Sequence, residues 1–449
     1  MEQPLRQNDL DRPLASPPAA DARRTLVIDL EGALLRSDLM YEALFSDVGR
    51  SLAGLRAGRS RSMSALKDVL ARAEIDYAHL PYDAEVLNSA LAARARGDGI
   101  YLVAGRFEHH AAAIASHLGF DGIIAPADLV AGQARTLPFD RANIERIGGD
   151  RDGRRADRRT SPRTWLRALR VYQYAKNTLV FVPAVTAHQI NLPALGSALL
   201  AFVAFSACAS GAYLMNDLLD LVADRHHPTK RHRALAAGDL PIASALTAIP
   251  VLWLIAAAAS LCISGVFAGV LGAYLVTTIA YSLLLKRKML LDVVTLAGLY
   301  TLRIVAGAVG VGVVLSEWLL MFSLFVFTSL ALIKRFSELS MRQGAGLSDP
   351  ANRDYRISDL QVIAAMAAAS GMNAVIVFSL YVSSSAVTAL YSRPWMLWLL
   401  NPLLLYWFGR ALMMAHRREM PDDPIIYTFR DNASRITVAA MFCVMLAAI

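Results

Sequence analysis

The chain has 449 residues, of which 55% are hydrophobic and 18% are charged, and its formal net charge at pH 7 is +8. This composition excludes a single soluble domain, because the apolar residues are concentrated in long runs after about residue 177. The positive charge falls in short loops between those runs, so no nucleic-acid partner is needed to explain it. The three cysteines lie within apolar runs and lack disulfide or metal-site spacing.

The N-terminal third is predicted to be a tail followed by a small α/β domain. Residues 1–24 contain acidic residues and prolines without an apolar core, which predicts a disordered tail and no signal peptide. Residues 25–150 alternate between strand and helix patterns. Strands are predicted at Thr25–Ile28 and Ile100–Val103, and helices near Leu39–Leu55, Ser64–Ala73 and Asp83–Arg96. Residues 151–162 are predicted to be a linker.

The end of the first predicted strand resembles a phosphatase motif. The sequence Asp29-Leu30-Glu31-Gly32-Ala33 is similar to Asp-x-Asp-Gly-Thr, the first motif of the haloacid dehalogenase (HAD) family. In that family the first Asp attacks phosphorus and the second is the general acid/base. The resemblance therefore implies these positions for Asp29 and Glu31.

The rest of the HAD pattern is incomplete. Ala104 stands where the second motif has Ser or Thr, and no lysine lies between Lys67 and Lys176. The stretch 148–152 is the candidate remnant of the acidic fourth motif. We therefore expect a truncated HAD-like domain that no longer hydrolyses phosphate and serves as a docking or structural module. Removal of a 5-phosphate from a phosphoribosyl lipid is the open alternative.

Residues 163–449 are predicted to be an all-α polytopic membrane domain. Nine apolar runs approach the roughly 20 residues that a helix needs to span a bilayer. Helices are expected because barrel strands would alternate at every second residue. The predicted spans are 177–190, 193–215, 242–262, 265–285, 291–313, 315–333, 360–384, 391–414 and 433–449.

Loop charge predicts the orientation of these spans. Lys and Arg are concentrated after spans two, four, six and eight, and only Arg393 breaks the pattern among the opposite connections. The positive-inside rule then places the N-terminus and the basic loops in the cytosol, in an inner-membrane protein. The basic residues are Lys230, Arg231, Arg233, Lys286, Arg287, Lys288, Lys334, Arg335, Arg342, Arg353, Arg356, Arg410, Arg417 and Arg418.

The second span ends in a group of polar residues that suits a hard cation. Asn216, Asp220 and Asp224 recur every four residues, and Asp217 shares their helix face. Ionisable groups at membrane depth are costly, so this stripe is a functional candidate. Mg²⁺ commonly takes one or two carboxylates while substrate phosphates fill its other positions. Lys230 and Arg233, just downstream, would hold the remaining phosphate oxygens.

These residues carry a second family resemblance. Asn216-Asp217-x-x-Asp220-x-x-x-Asp224, followed by His227-Pro228-x-Lys230-x-x-Arg233 and Gly238, resembles the first motif of the UbiA superfamily of intramembrane prenyltransferases. The resemblance implies nine helices around a cavity open to lipid, with Asn216 and the three aspartates as Mg²⁺ ligands. Ala234 replaces the proline of many members, without removing a ligand.

Other loops resemble the branch that contains decaprenyl-phosphate phosphoribosyltransferase. The similar patterns are Arg170-x-x-Gln173-x-x-Lys176-Asn177 and Tyr281-Ser282-x-x-Leu285-Lys286 with Asp292 and Arg303. After span six, aromatic prenyltransferases of the superfamily carry a second Asp-rich motif that binds another Mg²⁺. This chain has Lys334-Arg335-Phe336-Ser337-Glu338 instead, one carboxylate beside two cations.

We therefore expect transfer of 5-phosphoribosyl from 5-phosphoribosyl diphosphate (PRPP) to a polyprenyl phosphate, with release of diphosphate. Asp220, Asp224, Asp292 and Lys286 are the catalytic candidates, with Asp292 steadying the ribose. Metal and cations would stabilise the charge that grows on the leaving group. The substrate-binding candidates are Lys176, Lys230, Arg233, Tyr281, Arg303, Lys334, Arg335 and Glu338.

Two other function classes stay open at the sequence level. A prenyltransferase would move an isoprenoid from its diphosphate to an aromatic or lipid acceptor, and it predicts a second Asp pair. A non-catalytic transporter or scaffold predicts independence from Mg²⁺ and tolerance of changes at Asp220 and Asp224. The sequence gives neither the acceptor's chain length nor the oligomeric state.

Overall fold

The computed structural model describes residues 24–48, 73–105, 107–129, 143–148, 160–350, 353–420 and 424–449. Residues 1–23 of the predicted tail, almost all of the predicted helix Ser64–Ala73 and most of the stretches 148–152 and 151–162 lie outside this set. The chain divides into two compact units. The first comprises the residues up to Ala168 together with Asp217–Leu246, and the second comprises Leu169–Asn216 together with Thr247–Ile449.

The first unit contains a four-stranded parallel sheet. The strands, numbered β1 to β4 along the chain, are Thr25–Asp29, Gly99–Val103, Gly122–Ile124 and Ile144–Ile147. Their order is β3-β2-β1-β4, so β1 is an inner strand. Leu26 and Ile28 of β1 and Leu102 of β2 belong to the main apolar core of this unit. The α/β architecture predicted from the sequence is confirmed, while its HAD-like identity stays a prediction.

Helices connect the strands, as parallel pairing requires. The longer ones are Leu39–Val48, Ala84–Arg96 and Glu108–Leu118. Asp83 caps the second helix by accepting from the backbone N–H of Glu85 at 3.0 Å and of Val86 at 3.3 Å. The third helix was not predicted because it carries little periodic signal, and the strands β3 and β4 were not predicted because they are short. Shorter helical segments in this unit are Tyr77–His79, Pro126–Leu129, Pro162–Ala168, Leu221–His226 and Lys230–His232.

The segment Asp217–Leu246 packs with the N-terminal residues of the same unit. Gly238 marks one close approach: its φ is +71°, and a Cβ there would lie 2.6 Å from the Cβ of Arg36 and 3.0 Å from that of Pro81. Both the backbone conformation and the space therefore require glycine. Arg36 and Arg167 also form ion pairs with Asp239, at 3.2 and 2.9 Å.

The second unit is helical. Among the described residues, seven helices are long and apolar enough to span a membrane, or eight if the bent pair Pro424–Arg430 and Asn432–Ala448 is one span. The predicted total of nine stays a prediction. Predicted span 177–190 coincides with a 3₁₀ segment, Val171–Phe181, followed by the short helix Val182–Thr186. The other spans are Leu192–Leu219, Ile242–Ile263, Gly265–Leu283, Leu291–Val311, Glu317–Gly344, Ile357–Val382 and Pro394–His416.

The sixth predicted span is longer than its apolar run suggested. It was predicted to end near residue 333, but the helix Glu317–Gly344 continues for three further turns. Lys334, Arg335 and Glu338 therefore lie within this helix, whereas the sequence had placed them in a loop. The helix continues because Phe336 and Leu339 remain buried in an apolar cluster and the buried Arg335 forms ion pairs with carboxylates.

Candidate active site

The acidic motif, residues 216–224, lies where two helices of the chain meet. Helix Leu192–Leu219 ends just before Asp220, whose φ and ψ are −93° and 8°, and helix Leu221–His226 follows. The single continuous helix expected from the four-residue repeat is therefore interrupted. The N–H of Asp224 still donates to the carbonyl of Asp220 at 2.8 Å, which keeps the i,i+4 relation across the break. Asp217 and Asp224 are buried, and Asn216 and Asp220 are half-buried.

Arg233 joins two of the aspartates. Its Nη1 donates to Asp217 Oδ1 at 3.1 Å and to Asp224 Oδ2 at 2.6 Å. The side chains of Asp217 and Asp224 are only 6% and 3% exposed, so their charges need such a partner. Two buried carboxylates thus converge on one cationic nitrogen.

The protonation of Asp224 reflects this balance. Burial raises the pKa of the Asp224 carboxyl above its ordinary value, and the charge of neighbouring Asp217 acts in the same direction. Arg233 and Lys230 oppose the rise by favouring the ionised form. The two basic residues predicted to accompany the acidic motif therefore act electrostatically on it.

A histidine organises the turn that carries Lys230. His227 Nδ1 accepts from the backbone N–H groups of Thr229 and Lys230, both at 3.3 Å. The exposed Lys230 follows directly, at the start of the segment Lys230–His232. The histidine of the His-Pro-x-Lys sequence therefore stabilises the turn before Lys230, a role that residue spacing alone did not indicate.

A second polar group, which we call the arginine cluster, lies in the helical unit and comprises Tyr281, Asp292, Arg335, Glu338, Arg353 and Tyr355. Arg335 is 1% exposed. Its Nε donates to Asp292 Oδ2 at 2.7 Å, and its Nη1 donates to Glu338. Its Nη2 lies 3.5 Å from the hydroxyl of Tyr281. Four predicted site residues from three elements are therefore brought together.

Two members of the arginine cluster were not predicted as site residues. The hydroxyl of Tyr355 donates to Asp292 Oδ1 at 2.6 Å and accepts from the N–H of Leu290 at 2.9 Å. Burial, followed by the hydrogen bond to Asp292, raises the pKa of Tyr355 above its ordinary value, so it remains a donor. Arg353 lies 3.3 Å from Glu338 and 3.5 Å from Asp292. No sequence pattern indicated these contacts, because both residues come from a long polar connection without periodicity.

Asp292 is completely buried. Its carboxylate contacts Arg335, Arg353 and Tyr355, so in this structure its partners are protein groups. Lys286 lies in the turn Leu285–Arg287 just before it, and the Lys286 carbonyl lies 3.5 Å from Nη1 of Arg353. Lys334 is half-buried next to Arg335 in the helix Glu317–Gly344.

Arg303 forms a separate buried network. Its Nε donates to Asn177 at 2.9 Å, its Nη1 to the carbonyl of Leu299 at 2.6 Å and its Nη2 to Tyr274 at 2.8 Å. Its guanidinium also lies 4.8 Å from the centre of the Tyr274 ring. These contacts connect three segments of the helical unit, which gives Arg303 a structural role besides the substrate role predicted for it.

Two apolar cavities lie within the helical unit. One, of about 510 Å³, is lined by residues that include Trp318, Phe322 and Phe378. The other, of about 280 Å³, is lined mainly by apolar side chains such as Phe322 and Trp407, and also by Lys176. The Nζ of Lys176 lies 5.7 Å from the centre of the Tyr300 ring. A cation therefore borders a cavity of the size and polarity that suits a hydrocarbon chain.

The model of the UbiA prenyltransferase family matches residues 177–433. The chain belongs to the UbiA prenyltransferase family. Together with its long apolar helices, this makes it an integral, multi-pass membrane protein.

Three relatives of this UbiA-family chain differ in how much of it they cover. Uncharacterized protein y4nM of Sinorhizobium fredii is 33% identical over an alignment 463 positions long, which covers 92% of this chain and 89% of that protein. Nodulation protein NoeC of Azorhizobium caulinodans is 32% identical over 62% of this chain and 91% of its own length. Decaprenyl-phosphate phosphoribosyltransferase of Mycobacterium tuberculosis is 33% identical over 40% of this chain, and the match covers 62% of that enzyme.

The acidic motif of the UbiA-family chain has donors of the kind that Mg²⁺ prefers. Asp217 and Asp224 converge on Arg233 Nη1, so two carboxylate oxygens already face one positive centre. Mg²⁺ needs no more than one or two protein carboxylates when phosphates complete its shell. Among the described residues, however, the oxygens of the three aspartates do not form a group within 4.8 Å of one another. The donor set therefore fits a metal that is shared with a phosphate substrate.

The HAD-like motif has a different environment. Asp29 ends β1 and accepts from Arg146 of β4, whose Nη2 lies 3.0 Å from both carboxylate oxygens. Gly148, just after β4, packs closely against this motif. A Cβ at Gly148 would lie 2.9 Å from that of Asp29 and 2.6 Å from that of Ala33. Glu31 lies near Gly105, at the end of β2. The predicted nucleophile position is thus occupied by an ion pair.

Proposed function

We propose that this UbiA-family protein transfers 5-phosphoribosyl from PRPP to a polyprenyl phosphate. An oxygen of the lipid phosphate forms a bond to C1 of the ribose, the bond from C1 to the diphosphate breaks, and diphosphate leaves with the electron pair. The lipid phosphate is already ionised, so the reaction needs little general-base help. We assign binding of the diphosphate to the acidic motif and binding of a phosphate group to the arginine cluster.

The acidic motif would bind the diphosphate end of PRPP. Asp217, Asp220 and Asp224, with Asn216, would hold Mg²⁺ either directly or through water. When bound, the metal would neutralise charge that develops on the leaving diphosphate. Lys230 and Arg233 would contact the remaining diphosphate oxygens. The buried contacts of Arg233 with Asp217 and Asp224 support this assignment, because they place a guanidinium at the same carboxylates.

The observation that carries the choice of substrate is the arginine cluster. Glu338 and Asp292 are both paired with arginines. A second metal would need carboxylates that are not already paired in this way, whereas the arginine cluster presents cationic groups. A phosphate group suits this environment better. Lys334 and Arg335 would bind phosphate, Tyr281 and Lys286 would position the sugar, and Asp292 would act through Arg335 by fixing its orientation.

The lipid acceptor would use the apolar cavities of the helical unit. Lys176 borders the cavity of about 280 Å³ and would attract the lipid phosphate, while the apolar lining would take the polyprenyl chain. The match to decaprenyl-phosphate phosphoribosyltransferase supports the same pairing of substrates. We further propose that the basic loops lie on the cytosolic side of the inner membrane. PRPP, as a soluble cytosolic substrate, would reach them there.

A two-mixture assay tests the proposal. Purified protein in lipid vesicles receives labelled PRPP with polyprenyl phosphate in one mixture, and labelled prenyl diphosphate with 4-hydroxybenzoate in the other. Label should enter lipid in the first mixture, and Asp220→Asn should abolish it. Lys286→Gln should lower turnover, while the exposed Lys288→Gln serves as the matched control. Product only in the second mixture would reject phosphoribosyl transfer in favour of prenyl transfer.

The same assay addresses the non-catalytic alternative. A transporter or scaffold would form neither product and would keep its cellular function in an Asp220→Asn, Asp224→Asn double variant. Dependence of product formation on Mg²⁺ would exclude both roles as the main function.

For the HAD-like domain we propose a structural or docking role. The ion pair between Asp29 and Arg146 supports this role. To attack phosphorus as a nucleophile, the Asp29 carboxylate would first have to leave Arg146. Wild type and Asp29→Asn should therefore release the same phosphorylated lipid product. If wild type instead gave a dephosphorylated product and Asp29→Asn did not, the domain would be a phosphatase.

A further inference from the structure

A group of metal-ligating side chains lies outside the acidic motif. Asp76, His79 and His226 belong to the first unit, and their ligand atoms all lie within 4.8 Å of one another. Both His79 Nδ1 and His226 Nε2 lie 2.8 Å from the same oxygen, Oδ2 of Asp76. The two imidazole rings lie against each other in a tilted arrangement, with centroids 4.1 Å apart and planes inclined by 31°.

Hydrogen bonds to the backbone fix the orientation of two of these ligands. His226 Nδ1 lies 2.8 Å from the carbonyl of Val222, which can only accept, so this nitrogen carries the proton. Asp76 Oδ1 accepts from the N–H of Ala78 at 3.1 Å, which turns Oδ2 toward the imidazoles. Histidines that ligate metals commonly donate their second ring N–H to a backbone carbonyl in this way.

The tautomer of His226 has an electrostatic consequence. With its proton on Nδ1, a neutral His226 presents the Nε2 lone pair to a carboxylate oxygen 2.8 Å away. Two lone pairs at this distance repel, so a positive centre belongs between them. The contact of His79 differs, because a neutral His79 with its proton on Nδ1 can donate to the same oxygen at 2.8 Å. One metal ion shared by both rings and the carboxylate avoids the repulsion at His226.

We propose that Asp76, His79 and His226 bind a transition-metal ion, with Zn²⁺ as the best-suited ion. Two imidazoles and one carboxylate form a common Zn²⁺ ligand set, with bonds of roughly 2.0–2.1 Å and a fourth position for water or another ligand. The ligand atoms would separate by roughly half an ångström to reach tetrahedral spacing. All three side chains are partly exposed, from 38% to 46%, so they can adjust.

The bound ion would connect two distant parts of the chain within the first unit. His226 comes two residues after Asp224, while Asp76 and His79 belong to the N-terminal region. Asp76, His79 and His226 line a small pocket together with Arg225 and Glu42, which form a buried ion pair. Occupancy would therefore stiffen the helix Leu221–His226, which carries the last aspartate of the acidic motif. This is a structural metal site, distinct from the proposed Mg²⁺ site in ligand type.

Metal content of the full-length protein tests the site. The protein is purified in detergent through a tag without histidines, stripped with a chelator and titrated with Zn²⁺ or Co²⁺ in the presence of excess Mg²⁺. Wild type should bind one equivalent of Zn²⁺, and Co²⁺ should give visible d–d absorption typical of four-coordinate nitrogen and oxygen ligands. Zn²⁺ should also raise the thermal unfolding temperature of wild type.

Matched variants locate the ion. His79→Gln and His226→Gln should each weaken Zn²⁺ affinity at least 100-fold and remove the absorption. His117→Gln, a change at an exposed histidine of helix Glu108–Leu118, should bind as wild type does. Asp220→Asn should also keep the ion, which separates this site from the acidic motif. Absence of Zn²⁺ from wild type, or equal binding by His226→Gln, would overturn the proposal and leave a hydrogen-bonded cluster only.

Discussion

Arg225 and Glu42 form a buried two-point ion pair. Nη1 of Arg225 lies 2.5 Å and Nη2 lies 2.7 Å from the two carboxylate oxygens, and the side chains are 6% and 4% exposed. Nε of Arg225 donates to the carbonyl of Ala236 at 3.2 Å. The pair connects residues 183 positions apart and attaches the residue after Asp224 to the helix Leu39–Val48. The pair is thus a buried polar contact between the N-terminal residues and the segment Asp217–Leu246 of the first unit.

Removal of one partner should destabilise the first unit. Glu42→Gln leaves the Arg225 charge buried without its counter-ion, which costs about 3–5 kcal/mol in comparable cases. The expected result is a lower thermal unfolding temperature in detergent, together with faster hydrogen exchange in residues 221–226. Glu42→Leu combined with Arg225→Met should recover much of the loss, because no charge is then left buried.

The pair of Arg96 and Asp98, in which the arginine is exposed and the aspartate is 9% exposed, provides the control for that prediction. Arg96 is 53% exposed, and its Nε lies 2.8 Å from Asp98. Surface pairs contribute about 0–1 kcal/mol, so Arg96→Gln should change unfolding little. Equal effects of Arg96→Gln and Glu42→Gln would mean that burial of the Glu42 pair does not matter for stability.

The second prediction concerns the pH dependence of metal binding at the acidic motif. Burial raises the pKa of Asp224, so its neutral form persists to a higher pH than that of an ordinary aspartate. Because a ligand must be ionised, Mg²⁺ binding should be lost as the pH falls through this raised pKa. Arg233 favours the ionised form, so Arg233→Gln should raise the pKa further and move the acid limb of Mg²⁺ binding to higher pH.

Mg²⁺ titrations at several pH values measure this shift directly. Arg231→Gln is the matched control, because Arg231 is an exposed cation of the same loop and makes no hydrogen bond to the aspartates among the described contacts. An acid limb that stays in place in Arg233→Gln would show that Arg233 does not control Asp224. The same displacement in both variants would indicate a general charge effect of the loop.

Much of the helical unit follows from apolar periodicity. The predicted spans 193–215 and 242–262 correspond to helices Leu192–Leu219 and Ile242–Ile263, since length and hydropathy determine such segments. The helix Glu317–Gly344 was too short in the prediction, because hydropathy counts Lys334 and Arg335 as polar regardless of their ion pairs. Only tertiary contacts could have revealed that Arg335 is buried.

The sequence predicted the residue types of the candidate site better than their partners. The acidic motif and its basic neighbours could be found by spacing, because ligand chemistry requires those types in that order. The partners Glu42, Tyr355 and Arg146 could not, since each comes from a distant segment and has no local pattern. The same limit applies to Asp76 and His79, which approach His226 only in the folded unit.

The third prediction distinguishes binding from positioning in the arginine cluster. Arg335→Gln removes the cation proposed to bind phosphate and leaves the buried Asp292 carboxylate and the partly exposed Glu338 carboxylate without this partner. We expect PRPP turnover to fall by about 100-fold or more, as for loss of a charge-stabilising donor. Asp292→Asn keeps Arg335 but loosens its orientation, so it should lower kcat more than it raises the KM for PRPP.

Tyr355→Phe is the milder variant of that series. It removes one hydroxyl bond of 2.6 Å to Asp292 and leaves the arginines in place. Such a loss costs about 0.5–1.5 kcal/mol, so activity should fall by about tenfold or less. If Asp292→Asn changed neither kinetic constant, Asp292 would have only a structural role in the cluster.

The fourth prediction uses two glycines of the helix Leu291–Val311. At Gly307 a Cβ would lie 2.1 Å from the carbonyl oxygen of Val180, in the 3₁₀ segment Val171–Phe181. The contact is with backbone atoms, which cannot rotate away as a side chain could. Gly307→Ala should therefore force the segment from the helix and destabilise the protein by about 1–3 kcal/mol or more.

Gly298 of the same helix is the matched control, because a Cβ there meets no atom within 4 Å. Gly298→Ala should be neutral or stabilising by about 0.5–1 kcal/mol, since alanine loses less backbone entropy in a helix. Thermal unfolding of both variants in the same detergent compares them directly. The segment Val171–Phe181 also carries Lys176, so Gly307→Ala should weaken polyprenyl phosphate binding while Gly298→Ala does not. Equal stability of the two variants would show that the 3₁₀ segment does not pack against Gly307 as closely as the structure has it.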